Sequence, residues 1–456
     1  MTAPNNLYPP GPQMHPVLGL RRFAKERLNF VMACRDQYDD IAYMHLFNRH
    51  LYLLFNAEDI HTVLVKQAGK PIKPPNQVKT LGSLLGDGLL TNNGDDWRQQ
   101  RKLAQPAFHM QRIGGYGDVM VDYTLNMVQR WQQQPEVEAH SEMMHLTMEI
   151  VAKTLFDADV TNDTDDISHA VSTAIEAASN MIARPLKQAL RWMPTPENLR
   201  AKDATQQLDC VVYQFIEDRR ALGEDKGDLL SMLMLAEYDD GTRMSDKQLR
   251  DEVITLFLAG HETTANALTW ALYLLAEHPD EYAKAVAAVD AALGNRRATI
   301  GDLPQLEALK RVIQEAMRLY PPAWIISRAT TEPITLQGYA IEPGAILIMS
   351  QYAMHRHPRY WDAPDAFQPD RFLTQPDSVK AGYFPFGGGP RVCIGNSFAM
   401  MEMTLVLATL LQHVRFELAP GQNVDLDTAI TLRPKDGLRL TLHQRDSAYD
   451  SSSVAT

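Results

Sequence analysis

Cys393 stands in the run Phe386-Gly387-Gly388-Gly389-Pro390-Arg391-Val392-Cys393-Ile394-Gly395, a setting that suits a thiolate. The glycines allow backbone turns that a side chain would obstruct, and Pro390 stiffens the approach. From Asn396 to Leu411 the pattern is helical, so the sulfur is expected at a helix N-terminus. Unpaired N–H groups and the helix dipole there favour an anion and lower a cysteine pKa. A thiolate so placed can ligate a metal. Taken alone, the run also reads as an inert buried cysteine beside a glycine-rich turn. It makes a poor phosphate loop, since the Lys-Ser/Thr ending is missing.

A second chemical cluster lies inside a long helix. Ser245 to Gln248 carry a capping signal, and helical pattern continues to Glu277, where His278 and Pro279 stop it. Such a helix would be about 50 Å long and cross the whole domain. Val253 to Gly260 are apolar on every side, whereas His261, Glu262, Thr263, Thr264 and Asn266 place polar groups mid-helix. Each needs a partner or a task there. Back-bonding threonines and a paired glutamate are the plain alternative.

Glu315 and Arg318, three residues apart on the helical run Leu309 to Tyr320, could be a surface ion pair. Arg371 follows in the segment Phe367 to Phe372. Trp97 and Arg101 lie one helical turn apart, and Arg328 comes ten residues after Arg318.

The rest of the chain must hold these groups. Its 456 residues, 45% of them hydrophobic, support a substantial core. Helical periodicity runs from about Leu20 to Leu319, broken by a strand pair between Ile41 and Phe55 around Asn48 and Arg49. A strand-rich zone, Thr330 to Ser350, turns at Gln337-Gly338 and Pro343-Gly344. The composition is α+β and mainly α: a large helical domain with a small β-rich subdomain. A proline-rich segment (1–19), one catalytic domain (20–444) and a disordered tail (445–456) are expected. Three cysteines make no disulfide framework, and the net charge of −12 argues against nucleic-acid binding. With no long apolar run and no signal segment, a cytoplasmic protein without a membrane anchor is expected.

Phe386, Gly389, Arg391, Cys393 and Gly395 resemble the haem-binding loop FxxGxRxCxG of the cytochrome P-450 superfamily. Ala259 to Thr264 resemble its oxygen-binding segment, Glu315 and Arg318 its ExxR signature, and Trp97 and Arg101 its WxxxR helix. The resemblance spans about Leu7 to His443. It implies a P-450 fold holding haem b (iron protoporphyrin IX) between the long helix and the cysteine loop, with Cys393 as the iron ligand and Phe386 beside the sulfur. Trp97, Arg101, Arg328 and Arg391 would bind propionates. Ala259 and Gly260 would leave room for O2, and Thr263 and Glu262 would order a water chain delivering protons. Glu315, Arg318 and Arg371 would form a buried structural network, with Asp370 in place of the more usual Glu.

The implied activity is monooxygenation, hydroxylation or epoxidation, of a hydrophobic small molecule. Electrons would come from NAD(P)H through a reductase and a ferredoxin or flavodoxin, with Arg98, Lys102, Arg391 and Arg356 as candidate basic contacts. Pocket-lining segments would be Pro71 to Leu90, Met181 to Met193, Thr255 with Ala259, and Ala323, Trp324, Ile325 and Ile326. Core packing explains Trp324, Ile325 and Ile326 equally well. A peroxide-driven peroxygenase is a second reading, disfavoured by the retained Glu262 and Thr263. A haem gas sensor without catalysis is a third.

Overall fold

The computed structural model describes residues 7–13, 26–46, 48–160, 164–183, 192–238, 241–374 and 377–445. Most of the 1–19 segment, the tail beyond 445 and most of the 181–193 stretch lie outside the described residues. Helices account for 59% of the structure.

The central helix runs Asp246–Glu277. Ser245 Oγ accepts from Gln248 N–H at 3.2 Å, closing the first turn, and His278 and Pro279 end the helix. It packs along the helix Ala139–Phe156 and also touches Glu307–Leu319 and Asn396–His413. Burial on nearly all sides follows from its all-round apolar first half. A Cβ at Gly260 would lie 3.1 Å from Val151 Cγ2 on Ala139–Phe156. The space left by the missing side chain is therefore taken up by a close helix crossing.

The main sheet has four strands, in the order Ile41–Leu46, Arg49–Leu54, Ile346–Met349, Ile326–Ala329. The first two form the expected hairpin, with Ile41 opposite Leu54. Arg49–Leu54 then pairs in parallel with Ile346–Met349, Leu51 opposite Ile346. A second hairpin, Ile334–Leu336 and Tyr339–Ile341, turns on Gln337 and Gly338, both at positive φ (50° and 80°) as a tight two-residue turn requires. The edge strand Ile326–Ala329 lies outside the strand zone read from sequence, because its partner Ile346–Met349 is remote in the chain. Two hydrophobic clusters result, a large helical one and a smaller one around this sheet.

Candidate active site

The cysteine loop is held by its own backbone. Cys393 N–H donates to Phe386 C=O at 2.9 Å, and Val392 N–H to Gly389 C=O at 3.0 Å. Gly389 has φ +65°, and a Cβ there would come 2.0 Å from Leu64 C=O, so only glycine fits. Gly395 caps the helix Asn396–His413, and its N–H is directed at the Cys393 sulfur. That sulfur is surrounded by protein yet accessible, so it lines an internal space. The expected low thiol pKa is corrected: burial pushes it up and outweighs the Gly395 N–H and the Arg101 charge, which pull it down. A thiolate at this position would need a bound metal ion to hold it.

Around the loop sit cations in search of anions. Arg101 Nη1 donates to Val392 C=O at 2.9 Å. The Arg391 guanidinium covers the Trp97 ring and donates to Asn92 C=O (3.3 Å) and Asn93 Oδ1 (3.1 Å). Arg328, on the strand Ile326–Ala329, donates to Ser327 C=O. Burial lowers Arg328 and Arg391 to about 10, with the Arg328 charge adding to the effect on Arg391. Sequence reasoning missed Lys73, which burial, Arg391 and Arg328 together lower to about 6 against the opposing charge of Glu252. Its Nζ donates to Leu89 C=O at 3.0 Å and to Leu90 C=O. Like charges gathered under burial are unfavourable unless an anion joins them. Two carboxylates on a group that also takes a thiolate fit this donor set, as haem would.

On the central helix Ala259 is exposed although Leu258 and His261 are buried, so it too borders an internal space. Thr263 Oγ1 donates to Ala259 C=O at 2.8 Å and Thr264 Oγ1 to Gly260 C=O at 2.8 Å. Both are the back-bonds of the plain reading. Glu262 is not free: Thr431 Oγ1 donates to its Oε1 at 2.6 Å. Burial raises the Glu262 carboxyl above its ordinary range, against the Thr431 bond and the Arg433 charge. His261 Nδ1–H donates to Phe257 C=O (2.9 Å), and burial lowers its pKa to about 4.

Glu315, Arg318 and Arg371 are brought together. Arg318 makes a two-pronged contact with Glu315 (Nε–Oε2 2.7 Å, Nη2–Oε1 2.9 Å), and Arg371 Nε reaches Oε1 at 2.9 Å. Gln368 N–H adds a fourth bond to the same carboxylate. Arg318 also donates to the carbonyls of His355, Pro364 and Ala366, so the network stitches the helix Glu307–Leu319 to His355 and to the 364–371 stretch. Glu315 and Arg318 are both fully buried, which rules out the surface ion pair. Asp370 stays outside, paired with Arg311 at 3.2 Å.

Two further expectations change. Arg356 is 6% exposed, stacked over Tyr352 at 4.0 Å, and cannot serve as a docking contact; Arg98 and Lys102 are exposed. Trp324 is packed in the small-sheet core with its Nε1 directed to Ala429 C=O, while Ala323, Ile325 and Ile326 stay partly exposed. Thr255 packs against the 86–93 loop, where a Cβ on Gly88 would meet its Oγ1 at 2.4 Å.

Among the described residues, no helix is long and apolar enough to cross a membrane. Comparison with known proteins agrees with the geometry. The family described as Cytochrome P450 matches residues 9–441. Cyclooctatin synthase of Streptomyces melanosporofaciens is 36% identical, covering 92% of this chain and 90% of its own. Cyclooctat-9-en-7-ol 5-monooxygenase of the same organism is 34% identical over 74% of each chain. Pentalenene oxygenase of Streptomyces avermitilis is 34% identical over 79% of this chain and 81% of its own. With the match spanning nearly the whole chain and these relatives covering most of it, the protein belongs to the cytochrome P450 family and is a monooxygenase of that family.

Proposed function

We propose that this monooxygenase uses haem b held by Cys393 and oxidises an apolar terpenoid-like small molecule with electrons from a separate iron-sulfur or flavin protein fed by NAD(P)H. The observation that carries the cofactor reading is the enclosed but accessible Cys393 sulfur with Arg101 beside it, together with the buried cations Lys73, Arg328 and Arg391 that act on one another next to the same loop. The substrate class comes from the names of the relatives, two of which act on an alkene or alkenol by name. The exposed Ala259 and the partly exposed Ala323, Ile325 and Ile326 suit such a compound.

Bound haem would supply one-electron and O2 chemistry, its thiolate favouring O–O cleavage. The residues of the chain do the rest. Arg101, Arg391, Arg328 and Lys73 would hold the two haem carboxylates, with Trp97 backing Arg391. Ala259 keeps the helix surface small where substrate and O2 enter. Glu262, kept protonated to higher pH by burial, holds a proton that it can release towards Thr263 and ordered water. Arg98 and Lys102 on the helix Gly94–Ala104 offer the basic contact for an acidic electron donor.

The test has two stages. Reduced protein under carbon monoxide gives the red-shifted Soret band of a thiolate-ligated haem, and Cys393→Ala abolishes it. Screening terpenes for a spin-state change in the ferric protein, with product analysis, then finds the substrate. An unshifted Soret band with haem bound would overturn the cofactor assignment. Binding and turnover confined to polar compounds would overturn the substrate class.

A further inference from the structure

Behind Glu262 a run of hydrogen bonds leads away from the central helix. Thr431 Oγ1 lies 2.6 Å from Glu262 Oε1, Asn266 Nδ2 is 3.2 Å from Thr431 Oγ1, and His140 Nε2 is 3.0 Å from Asn266 Oδ1. Glu262, Thr431 and Asn266 are buried, whereas His140 is partly exposed. Glu262 and Asn266 share a helix face at i and i+4. Thr431 precedes the strand Leu432–Pro434, and His140 opens the helix Ala139–Phe156. Three remote segments thus meet in one chain of polar atoms.

The donor count limits how this chain can be arranged. A threonine hydroxyl has one proton, and an amide offers an oxygen at one end and N–H at the other. In the first arrangement His140 Nε2–H donates to Asn266 Oδ1, Asn266 Nδ2–H to Thr431 Oγ1, and Thr431 O–H to an ionised Glu262. In the second the amide is turned over: protonated Glu262 donates to Thr431, Thr431 to Asn266 Oδ1, and Asn266 Nδ2–H to an unprotonated His140 Nε2. An ionised Glu262 can only accept, which fixes the first arrangement and a proton on His140 Nε2, whereas an unprotonated Nε2 fixes the second and a proton on Glu262; ionised Glu262 together with an unprotonated Nε2 leaves an acceptor facing an acceptor, a costly outcome. An amide does not readily relay a proton, so the chain couples its two ends without conducting between them.

We propose that His140, Asn266 and Thr431 are positioning residues for Glu262, forming a hydrogen-bonded chain of two permitted polarities that ties the proton on Glu262 to the proton on His140 Nε2. Its bearing on catalysis rests on Glu262 as the proton-holding acid; the coupling itself does not. Glu138 and Arg433 are the other charges facing His140, Arg433 also acts on Glu262, and Asp427 is paired with Arg433 at 3.0 Å. Glu138 is engaged in capping the helix through His140 N–H and Ser141 N–H. These groups set where each end titrates, and the chain makes the two ends titrate together.

The test follows His140 by NMR in histidine-labelled ferrous carbonmonoxy protein, with the signal assigned by its loss in His140→Gln. Glu262→Gln removes the ionisable acceptor opposite Thr431 and can present an N–H there, which opens the second polarity, so the His140 midpoint shifts to lower pH. Loss of the Glu262 charge alone would push the same way, so Asn266→Leu is the control. In that background the shift from Glu262→Gln shrinks to the residual through-space effect. Thr431→Ser keeps the coupling and the similarly sized Thr431→Val removes it. An unmoved His140 in Glu262→Gln, a shift undiminished by Asn266→Leu, or identical behaviour of the two Thr431 variants would overturn the proposal. The Soret band recorded on the same samples separates a failure of the haem-thiolate reading from a failure of the coupling. In turnover, His140→Phe moves the pH profile of product formed per electron while the Soret band stays put.

Discussion

The guanidinium carbon of Arg391 lies 4.2 Å from the centre of the Trp97 ring. One residue sits two places before Cys393 and the other on the helix Gly94–Ala104, so the stack joins the cysteine loop to the cation-rich wall beside it. Cation–π contact of this kind contributes about 0.5–2 kcal/mol. Arg391→Lys keeps the charge but loses the planar stack and the fork to Asn92 and Asn93. The variant is expected to lose haem several-fold faster to a scavenging apoprotein. Equal rates would show that charge alone matters.

Gly389→Ala should be far more disruptive than its size suggests. The new methyl group meets Leu64 C=O in a backbone region that L-residues rarely adopt. Haem content of the purified protein should collapse while far-ultraviolet circular dichroism stays close to wild type. Normal haem content would mean that the loop moves without cost.

Removing one partner from the Glu315 network leaves buried charge uncompensated, at a cost of about 3–5 kcal/mol. Glu315→Gln should therefore lower the urea midpoint strongly, and Arg318→Ala similarly. Asp370→Asn, outside the network, should change it little. Comparable losses in all three would contradict the observed partition.

Glu252 gives a pH signature. Burial raises its carboxyl to about 7, against the Leu89 N–H that donates to it at 3.1 Å. Between the ordinary 4.5 and about 7 the folded state keeps a proton that the unfolded state releases. Stability then falls as pH rises through that window and levels off above it, a loss on the order of 3 kcal/mol. Lys73, lowered to about 6, acts in the opposite direction above that pH, so the interval from 4.5 to 6 isolates Glu252. Glu252→Gln should remove the decline there in urea titrations. Parallel pH curves for wild type and variant would refute the assignment.

What the sequence disclosed was what local chemistry encodes. The Ser245 cap, the Gln337-Gly338 turn and the glycines before Cys393 each declare themselves within a few residues, and the structure shows them in place. The Glu315 and Arg318 pair was visible, but its burial was not, since spacing alone cannot tell a core from a surface. Arg356 misled for the same reason: a charged residue reads as solvent-facing until two tyrosines are found beneath it. Asn266 stood out as a polar residue mid-helix, but its partners Thr431 and His140, like Lys73, carry no motif. They acquire chemistry only when distant segments meet, as Thr431 meets Glu262 across 169 positions.

The parallel pairing of Leu51 with Ile346 has a temporal side. A ribosome releases the N-terminal hairpin long before the strand that completes its sheet has been made. Until then an open β-edge is left to solvent, and contacts of such long sequence separation form slowly. The emerging chain is most vulnerable to aggregation in that interval, and slower translation of the stretch between the two strands would prolong it.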